Sequence, residues 1–177
     1  MSSRTLRWLL VPVLVLPLGW LLFTGLGNDP RDLPSPLVGK PLPSFSGSTL
    51  NGETFSSSEL IGRPAVINVW ASWCIPACVD EHPVLMATAA AYEDQLTMVG
   101  VLYQDAPDDA RAFLARYGDG GWPNLIDASG RIAVDLGVIG PPETFFVDAD
   151  GIVRVRYLGP LTASAMAQQL AALGLDP

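Results

Sequence analysis

The two cysteines of the chain, Cys74 and Cys78, are the residues whose type and spacing indicate chemistry. A disulfide between positions only four apart closes a very short loop and adds little stability, so a purely structural bridge is disfavoured. A structural zinc site is also disfavoured, because it takes four ligands and the chain has two cysteines and one histidine. Two thiols at this spacing indicate reversible thiol-disulfide exchange. The alternative is that both are small buried residues at a strand-helix junction.

The segment that precedes Cys74 predicts how its thiol is activated. Residues 64–70 have the sequence PAVINVW, an apolar and β-branched run typical of a buried central strand. The residues from Cys78 to about Tyr92 are compatible with a helix. A cysteine at the mouth of a helix has its thiolate stabilised by the helix dipole and by unpaired amides, and only the thiolate attacks a disulfide. We therefore expect Cys74 to attack and Cys78, deeper in the helix, to resolve the mixed disulfide.

The other elements that position this pair are predicted from local patterns. Turn signals at Asn51–Gly52 and Asp150–Gly151 predict two hairpins. The strands of these hairpins are predicted at residues 45–50, 53–55, 144–147 and 152–157, and a further buried strand at 97–103. Helices are predicted at residues 107–117 and 162–173, with Asp105 near the start of the first. A short helical turn is predicted after the first hairpin, capped by Ser57 or Ser58. This order predicts an α/β fold in which a mixed central sheet has helices on both faces.

The amino-terminal residues predict a membrane anchor. Residues 8–26 contain no charge, and as a helix they would rise about 28 Å, close to the thickness of the hydrocarbon core. Arg4 and Arg7 precede this segment and Asp29 comes after it, which leaves residues 1–7 in the cytoplasm and the rest of the chain outside. A cleaved signal peptide is the alternative, and it puts the rest of the chain in the same compartment.

Composition and charge restrict the possible functions of the residues that follow the predicted anchor. Residues 27–36 are rich in Pro, Asp and Ser and predict a spacer, which leaves residues 37–177 for one domain of ordinary size. The 177-residue chain carries a net charge of −8, and its ten basic residues are spread thinly. A nucleic-acid partner is therefore not expected, because binding to a phosphate backbone needs clustered Lys and Arg.

Three motifs carry a resemblance to a known family. WASWC ends at Cys74, EHP occupies residues 81–83, and LGVIGPPETFFVDADG occupies residues 136–151. Together they closely resemble the DsbE/CcmG family, the membrane-anchored thioredoxin-like proteins of cytochrome c maturation. The resemblance covers residues 37 to the carboxyl end and implies a thioredoxin-like fold, with the domain periplasmic and held at the inner membrane by a single span. It further implies a reductase for disulfides of apocytochrome c or its haem-ligation partners, a membrane thiol reductant that recharges it, and no cofactor besides the redox-active Cys74–Cys78 disulfide.

The resemblance also implies roles for single residues. Pro142 is similar to the family's cis-proline, whose neighbouring backbone receives the substrate peptide. Glu81 and Glu143 are similar to the family's acidic residues near the redox pair, where a carboxylate raises the pKa of a thiol by like charge. For Glu81, a solvated helix position is the alternative. Trp73 is the candidate for direct contact with the substrate, and His82 is expected on the helix surface rather than in catalysis.

The cysteine spacing departs from the family, which has Cys-x-x-Cys where this chain has Cys-x-x-x-Cys. Positions i and i+4 of a helix share a face, so the two Cα atoms can meet within the roughly 4.4–6.8 Å that a disulfide allows. The same spacing resembles the copper site of the Sco proteins, assembly factors for cytochrome oxidase, although the distant histidine of that site has no counterpart here. A Sco-like copper-binding assembly factor is therefore the alternative function, and a redox-inert thioredoxin-like scaffold is a third.

Overall fold

A computed structural model of the protein describes residue 13, residues 15–20 and residues 35–175. The chain divides into two compact units, Met1–Pro34 and Ser35–Pro177. In the first unit, the described residues are helical. None of the described helices is both long enough and apolar enough to cross a bilayer. Most of the predicted anchor at residues 8–26 lies outside the described residues, as do the predicted cytoplasmic residues 1–7 and most of the spacer.

In the described part of the second unit, strands and helices alternate after an initial hairpin, except that β7 follows β6 directly. The strands are β1 (Ser46–Ser48), β2 (Thr54–Ser56), β3 (Ala65–Trp70), β4 (Thr97–Tyr103), β5 (Asn124–Asp127), β6 (Glu143–Val147) and β7 (Val153–Leu158). The helices are α1 (Ala77–Ala91), α2 (Pro107–Tyr117), α3 (Arg131–Asp135) and α4 (Ala163–Ala172), and a 3₁₀ turn spans Ser57–Leu60. β1 and β2 form the hairpin, and the other five strands form the central sheet.

The central sheet is mixed, with the strand order β5-β4-β3-β6-β7. β3 lies in the middle, parallel to β4 and antiparallel to β6. Every residue of β3 is buried, as expected for an apolar strand whose sheet is covered on both faces. The chain therefore leaves β3 at one end of the sheet, between β4 and β6, and the cysteine loop begins there.

Side-chain alternation along the strands divides the core between the two faces of the sheet. On one face, α1 and α4 pack against residues such as Val66 and Phe146, and α2 packs near Trp70 and Leu102. On the other face, residues such as Ile67 pack against α3 and the 3₁₀ turn. The mixed sheet with helices on both faces confirms the predicted thioredoxin-like α/β fold.

Most of the predicted elements are confirmed. β4 and α2 begin and end at the predicted residues, and β3, β6, β7, α1 and α4 differ from prediction by one or two residues at an end. Both predicted hairpins form, with Gly52 and Gly151 at positive φ in their turns. These elements were predictable because each has its own hydrophobic pattern or turn residue.

One local expectation is wrong, and two short elements were missed. Ser56, rather than Ser57 or Ser58, caps the 3₁₀ turn: its hydroxyl accepts a hydrogen bond from the Ser58 amide, and Glu59 accepts one from the Ser56 amide. β5 and α3 were not predicted, because each is too short to show a periodic pattern. Their conformation depends on tertiary contacts, since β5 pairs with β4 along the sheet.

Candidate active site

The cysteine loop joins β3 to α1 and contains a disulfide. Cys74 and Cys78 are bonded, with their Cα atoms 5.4 Å apart, inside the range expected for a disulfide. The Cys74 carbonyl accepts a hydrogen bond from the Cys78 amide at 2.9 Å, the i to i+4 bond of an α-helix. The three residues between the cysteines therefore form one closed turn. The third intervening residue, which a Cys-x-x-Cys motif lacks, does not prevent the disulfide.

Cys74 lies before the helix, and Cys78 is its second residue. α1 begins at Ala77 with Pro76 as its N-cap, and the Ile75–Pro76 peptide bond is cis. Cys78 therefore lies inside the first turn, deeper than Cys74 as expected, and the helix starts only after Pro76 because a residue that precedes proline is disfavoured in helical conformation. Cys74 is 7% exposed and Cys78 2% exposed, so Cys74 is the more accessible of the two.

Glu81 lies one helical turn after Cys78 and is only 1% exposed, so it is not a solvated helix residue. Its Oε1 accepts a hydrogen bond from Asn68 Nδ2 at 2.8 Å, and its Oε2 accepts one from the Leu161 amide at 3.0 Å. Burial raises the pKa of Glu81 from 4.5 to about 7, although both hydrogen bonds act in the opposite direction. Glu81 is therefore a carboxyl group that gains or loses a proton near neutral pH.

Glu81 and Cys78 line one small cavity of about 10 Å³. Trp70 forms part of the wall, where its Nε1 donates a hydrogen bond to Asn124 Oδ1 at 2.9 Å. Gly100 lies beneath this bond, because a Cβ atom at that position would meet Asn124 Oδ1 and Trp70 Nε1. The close approach of these side chains encloses Cys78 and the titratable carboxyl of Glu81 together.

His82 is buried, which contradicts the expected surface position. Its ring packs edge-on against Phe113, with the ring centres 5.4 Å apart, and lies 6.2 Å from the Trp122 ring. Nε2 donates a hydrogen bond to the Gly118 carbonyl oxygen at 2.8 Å. The expectation fails because α2, whose packing is set by the tertiary fold, covers this side of α1.

Trp73 is exposed directly before Cys74, with 54% of its surface accessible. Its ring centre lies 6.4 Å from that of Tyr103, and its Nε1 donates a hydrogen bond to the Gln104 carbonyl at 3.4 Å. These contacts orient the indole at the end of β4 while about half of its surface stays exposed. A partner polypeptide that approaches Cys74 can therefore contact Trp73, the candidate for substrate contact.

Asp105 holds the cysteine loop, a role that the sequence did not indicate. Its Oδ2 accepts a hydrogen bond from the Ser72 amide at 2.6 Å, and its Oδ1 accepts one from the Ala106 amide at 2.8 Å. The N-cap of α2 is Ala106, so Asp105 lies one residue before the cap. The available signal was an acidic residue two positions after β4, which is parallel to β3, because the carboxyl ends of parallel strands meet at one end of a sheet.

Pro142 directly precedes β6. The antiparallel register pairs Val69 with Glu143, which puts Pro142 opposite Trp70, at the end of β3 where the cysteine loop begins. The Pro141–Pro142 peptide bond is cis, as expected from the similarity of Pro142 to the family's cis-proline. The structure therefore brings Pro142 and the disulfide to the same end of the sheet.

Glu143 is buried, but it lies on the other face of the sheet. Successive residues of a strand face opposite sides, and Thr144 is on the side of Glu81, since Asn68 donates hydrogen bonds to both of them. Glu143 instead pairs with Arg156, whose Nε donates a hydrogen bond to Glu143 Oε2 at 2.8 Å. The structure thus groups Glu81 with Cys78 and does not bring Glu143 to that cavity.

The geometry does not support the copper-binding alternative. Among residues 13, 15–20 and 35–175, no group of three or more Cys, His, Asp or Glu side chains is arranged to hold a metal ion. The two cysteines are bonded to each other, and Nε2 of His82 is engaged with a backbone carbonyl. A copper site with a third ligand has no candidate in this part of the chain.

The fold and the site define a thioredoxin-like thiol-disulfide oxidoreductase: a disulfide lies in the loop that follows the central strand, and a cis-proline directly precedes the neighbouring strand at the same end of the sheet. Residues 37–171 match the Redoxin family. DsbE of Allochromatium vinosum is 42% identical to this chain over 96% of it and 93% of the relative, and DsbE of Pseudomonas fluorescens biotype C is 40% identical over 94% and 93%. The chain belongs to the DsbE family of thiol:disulfide interchange proteins.

A solved structure agrees with this assignment. A secreted disulfide oxidoreductase of Mycobacterium tuberculosis, described as homologous to DsbE of E. coli, superposes with a TM-score of 0.66. It is 31% identical, and the match covers 73% of this chain and 96% of that one. The similarity extends over nearly the whole of the solved domain, so the shared feature is the complete fold rather than a local motif.

Proposed function

We propose that this protein reduces disulfides of apocytochrome c, or of the thiol proteins of haem ligation, during cytochrome c maturation. Its membership of the DsbE family supports this role, as does the GVIGPPETF motif that is part of the family resemblance. A membrane thiol reductant restores the two thiols after each turnover. The Cys74–Cys78 disulfide is then the redox group, and the reaction requires no bound cofactor.

The proposed location is the periplasmic side of the inner membrane. Residues 8–26 form the single anchoring span in this proposal, and the domain from residue 37 onward lies outside the cytoplasm. The uncharged length of that segment and the basic residues that precede it support this orientation. An oxidising compartment also explains why a dedicated reductase is needed there.

The proposed reaction transfers two electrons from the cysteine pair to the substrate. The Cys74 thiolate attacks one sulfur of the substrate disulfide, which forms a mixed disulfide and releases the first substrate thiol. The Cys78 thiolate then attacks the Cys74 sulfur, which releases the second substrate thiol and leaves the protein oxidised. The greater exposure of Cys74 supports this order, because the attacking sulfur must reach the substrate.

Glu81 takes the proton of Cys78 in this proposal. The buried thiol must lose its proton before it can attack, and a carboxyl group with a pKa of about 7 accepts a proton well near neutral pH. The single observation that carries the mechanism is that Cys78 and Glu81 line one small buried cavity. Trp73 and the backbone beside Pro142 receive the substrate polypeptide at the open side of the disulfide.

The direct test is to trap the substrate with the full-length protein. Cys78→Ser is expected to accumulate a mixed disulfide between Cys74 and its substrate, whereas Cys74→Ser forms none and does not support cytochrome c assembly. The two single variants serve as controls for each other, because each removes one sulfur from the same loop. Full cytochrome c assembly with Cys74→Ser would show that the nucleophile is assigned wrongly.

The direction of electron flow is tested by the reduction potential of the pair at equilibrium with glutathione. A reductase is expected to have a potential nearer that of thioredoxin, about −270 mV, than that of the oxidant DsbA, about −120 mV. A value close to that of DsbA would reverse the proposed direction. Titration of the reduced protein with Cu(I) provides the second measurement, because tight one-to-one binding without reductase activity would favour the copper-binding alternative.

A further inference from the structure

The cavity that contains Cys78 and Glu81 is nearly closed to solvent. Its volume of about 10 Å³ admits at most one water molecule. The titratable groups that face it are Cys78, Glu81 and His82, which are 2%, 1% and 5% exposed and all belong to α1. The other residues of its wall, from β3, α1, α2, β5 and the segment before β5, carry no charge. The groups that donate hydrogen bonds to Glu81, the Asn68 side chain and the Leu161 amide, are also uncharged.

Trp122 separates this cavity from a wide groove at the surface. The groove has a volume of about 480 Å³ and lies between the end of α1, the start of β4 and the segment before β5. Trp122 lines both the groove and the cavity. Its ring packs on Gly120, where a Cβ atom would collide with it. Three charged side chains of the groove, Arg63, Glu93 and Asp119, therefore lie on the other side of the indole from Glu81.

His82 fastens the segment that carries Trp122. Its Nε2 donates a hydrogen bond to the Gly118 carbonyl at 2.8 Å, and its ring lies 6.2 Å from the Trp122 ring. Gly118 and Gly121 have φ angles of 113° and 77°, and glycines leave a backbone free to adopt other conformations. A hydrogen bond from a buried side chain restricts that freedom. The histidine therefore holds the indole in place over the cavity.

We propose that His82 and Trp122 are positioning residues that close this cavity, so that Cys78 passes its proton to Glu81 without exchange with bulk water. The inference rests on the proposed function, in which Glu81 takes the proton of Cys78. Exclusion of water disfavours the charged carboxylate, and burial is the cause of the raised pKa of Glu81.

The closed cavity also keeps the proton available for the return reaction. After Cys78 has displaced the substrate thiolate from Cys74, the proton remains on Glu81. When a thiolate of the membrane reductant attacks Cys74, Cys78 leaves as a thiolate and takes that proton back. The second thiolate of the reductant then displaces Cys74, and the reductant leaves as a disulfide.

The test measures the two steps of disulfide reduction separately. The reduced full-length protein is mixed with one equivalent of a nitrobenzoate disulfide, whose thiolate product absorbs visible light. Attack by Cys74 releases the first product, and attack by Cys78 on the mixed disulfide releases the second. In the wild type, the rate of the second release is expected to rise with pH, with a midpoint near 7, as Glu81 loses its proton.

Trp122→Ala is expected to move this midpoint to lower pH by about one unit, because water then reaches the carboxyl group from the groove. The first release is expected to keep its rate. Trp122→Phe retains an aromatic ring over Gly120 and is expected to retain the wild-type midpoint. Met86→Ala is the matched control, since Met86 lines the groove but not the cavity, and its midpoint is also expected to stay unchanged.

Two variants of His82 test the hydrogen bond and keep the experiment decisive if Trp122→Ala folds poorly. His82→Leu is similar in volume to the ring but has no donor for the Gly118 carbonyl, so it is expected to lower the midpoint as Trp122→Ala does. His82→Gln retains an N–H donor and cannot ionise. It is expected to retain the wild-type midpoint.

Several results would overturn the inference. Wild-type midpoints in Trp122→Ala and His82→Leu, with the pH step lost in Glu81→Gln, would reject it and leave the proposed function intact. Equal losses of both rates at every pH would show that the two residues only stabilise the fold. A lowered midpoint in His82→Gln would assign the titration to His82, and a lowered midpoint in Met86→Ala would separate the effect from the cavity wall. A wild-type pH profile in Glu81→Gln would reject the proton transfer of the proposed function, and this inference with it.

Discussion

Replacing Glu81 by glutamine is expected to remove a large part of the pH dependence of the stability of the oxidised protein. Glutamine has the shape of the protonated acid and cannot ionise. Its oxygen can still accept the hydrogen bond from the Leu161 amide. The Asn68 amide can rotate so that its oxygen accepts from the glutamine NH₂ group, and Thr144 can then donate to the same oxygen. The substitution therefore removes the titration while it keeps the packing.

The magnitude is set by the two pKa values of Glu81. Burial raises the pKa to about 7 in the folded protein, against 4.5 as the ordinary value. The folded state therefore binds the proton more tightly than the unfolded state does. The contribution of Glu81 to stability is fully present below pH 4.5 and is lost as the pH rises through 7. The difference between the two pKa values corresponds to about 3 kcal/mol.

The assay is urea denaturation of the oxidised full-length protein and of Glu81→Gln from pH 4 to pH 8. In the oxidised protein both cysteines are bonded and do not titrate, and subtracting one curve from the other cancels the distant groups that the two proteins share. The two proteins are expected to be similar near pH 4. At pH 8 the variant is expected to be more stable by about 3 kcal/mol.

The matched control is Glu93→Gln, because Glu93 is an exposed glutamate just beyond the end of α1. Its stability curve is expected to match that of the wild type across the whole range. The reasoning would be refuted if the curves of Glu81→Gln and wild type stayed parallel between pH 4 and pH 8. It would also be refuted if the variant lost stability as the pH rose, because that result requires a lowered pKa.

Two further substitutions test how the site is held in place. Gly100→Ala is expected to destabilise the protein by about 1–3 kcal/mol in urea denaturation, because the added methyl group would collide with the Asn124 side chain and disrupt its hydrogen bond with Trp70. An unchanged midpoint would contradict the close packing of Trp70 and Asn124 over Gly100. Asp105→Ala is expected to cost about 1–3 kcal/mol, since the Ser72 amide loses its charged acceptor. Asp105→Asn keeps an oxygen acceptor and should recover part of this loss, and equal effects of the two Asp105 variants would argue against the hydrogen bond.

The cysteine pair and the elements around it were open to prediction because their signals are local. Residues 64–70 show by composition alone that they form a buried strand, and Asp150–Gly151 marks its hairpin within two residues. Cys74 and Cys78 are close in the chain, so helical geometry was enough to predict that they can pair. The resemblance then added Pro142, whose cis peptide bond no local rule would have predicted.

The positions and partners of Glu81 and Glu143 could not be predicted from local sequence patterns. Both were expected to act near the thiols, yet they lie on opposite faces of the sheet with different partners. Glu81 is held by Asn68 and the Leu161 amide, whereas Glu143 is held by Arg156 and the loop before it. Leu161 is 80 positions from Glu81 in the chain, so no local pattern could have indicated the contact.

The amino-acid sequence by itself determined the redox pair, the family and the order of most strands and helices, because these depend on residue type and on short-range spacing. Only the tertiary structure decided that His82 is buried, that Asp105 holds the cysteine loop, and that Glu81 titrates near neutral pH. Each of these properties depends on which distant segments exclude water from a side chain and supply its hydrogen-bond partners. Burial and long-range pairing arise when the sheet and helices pack together, and a single segment of sequence does not contain them.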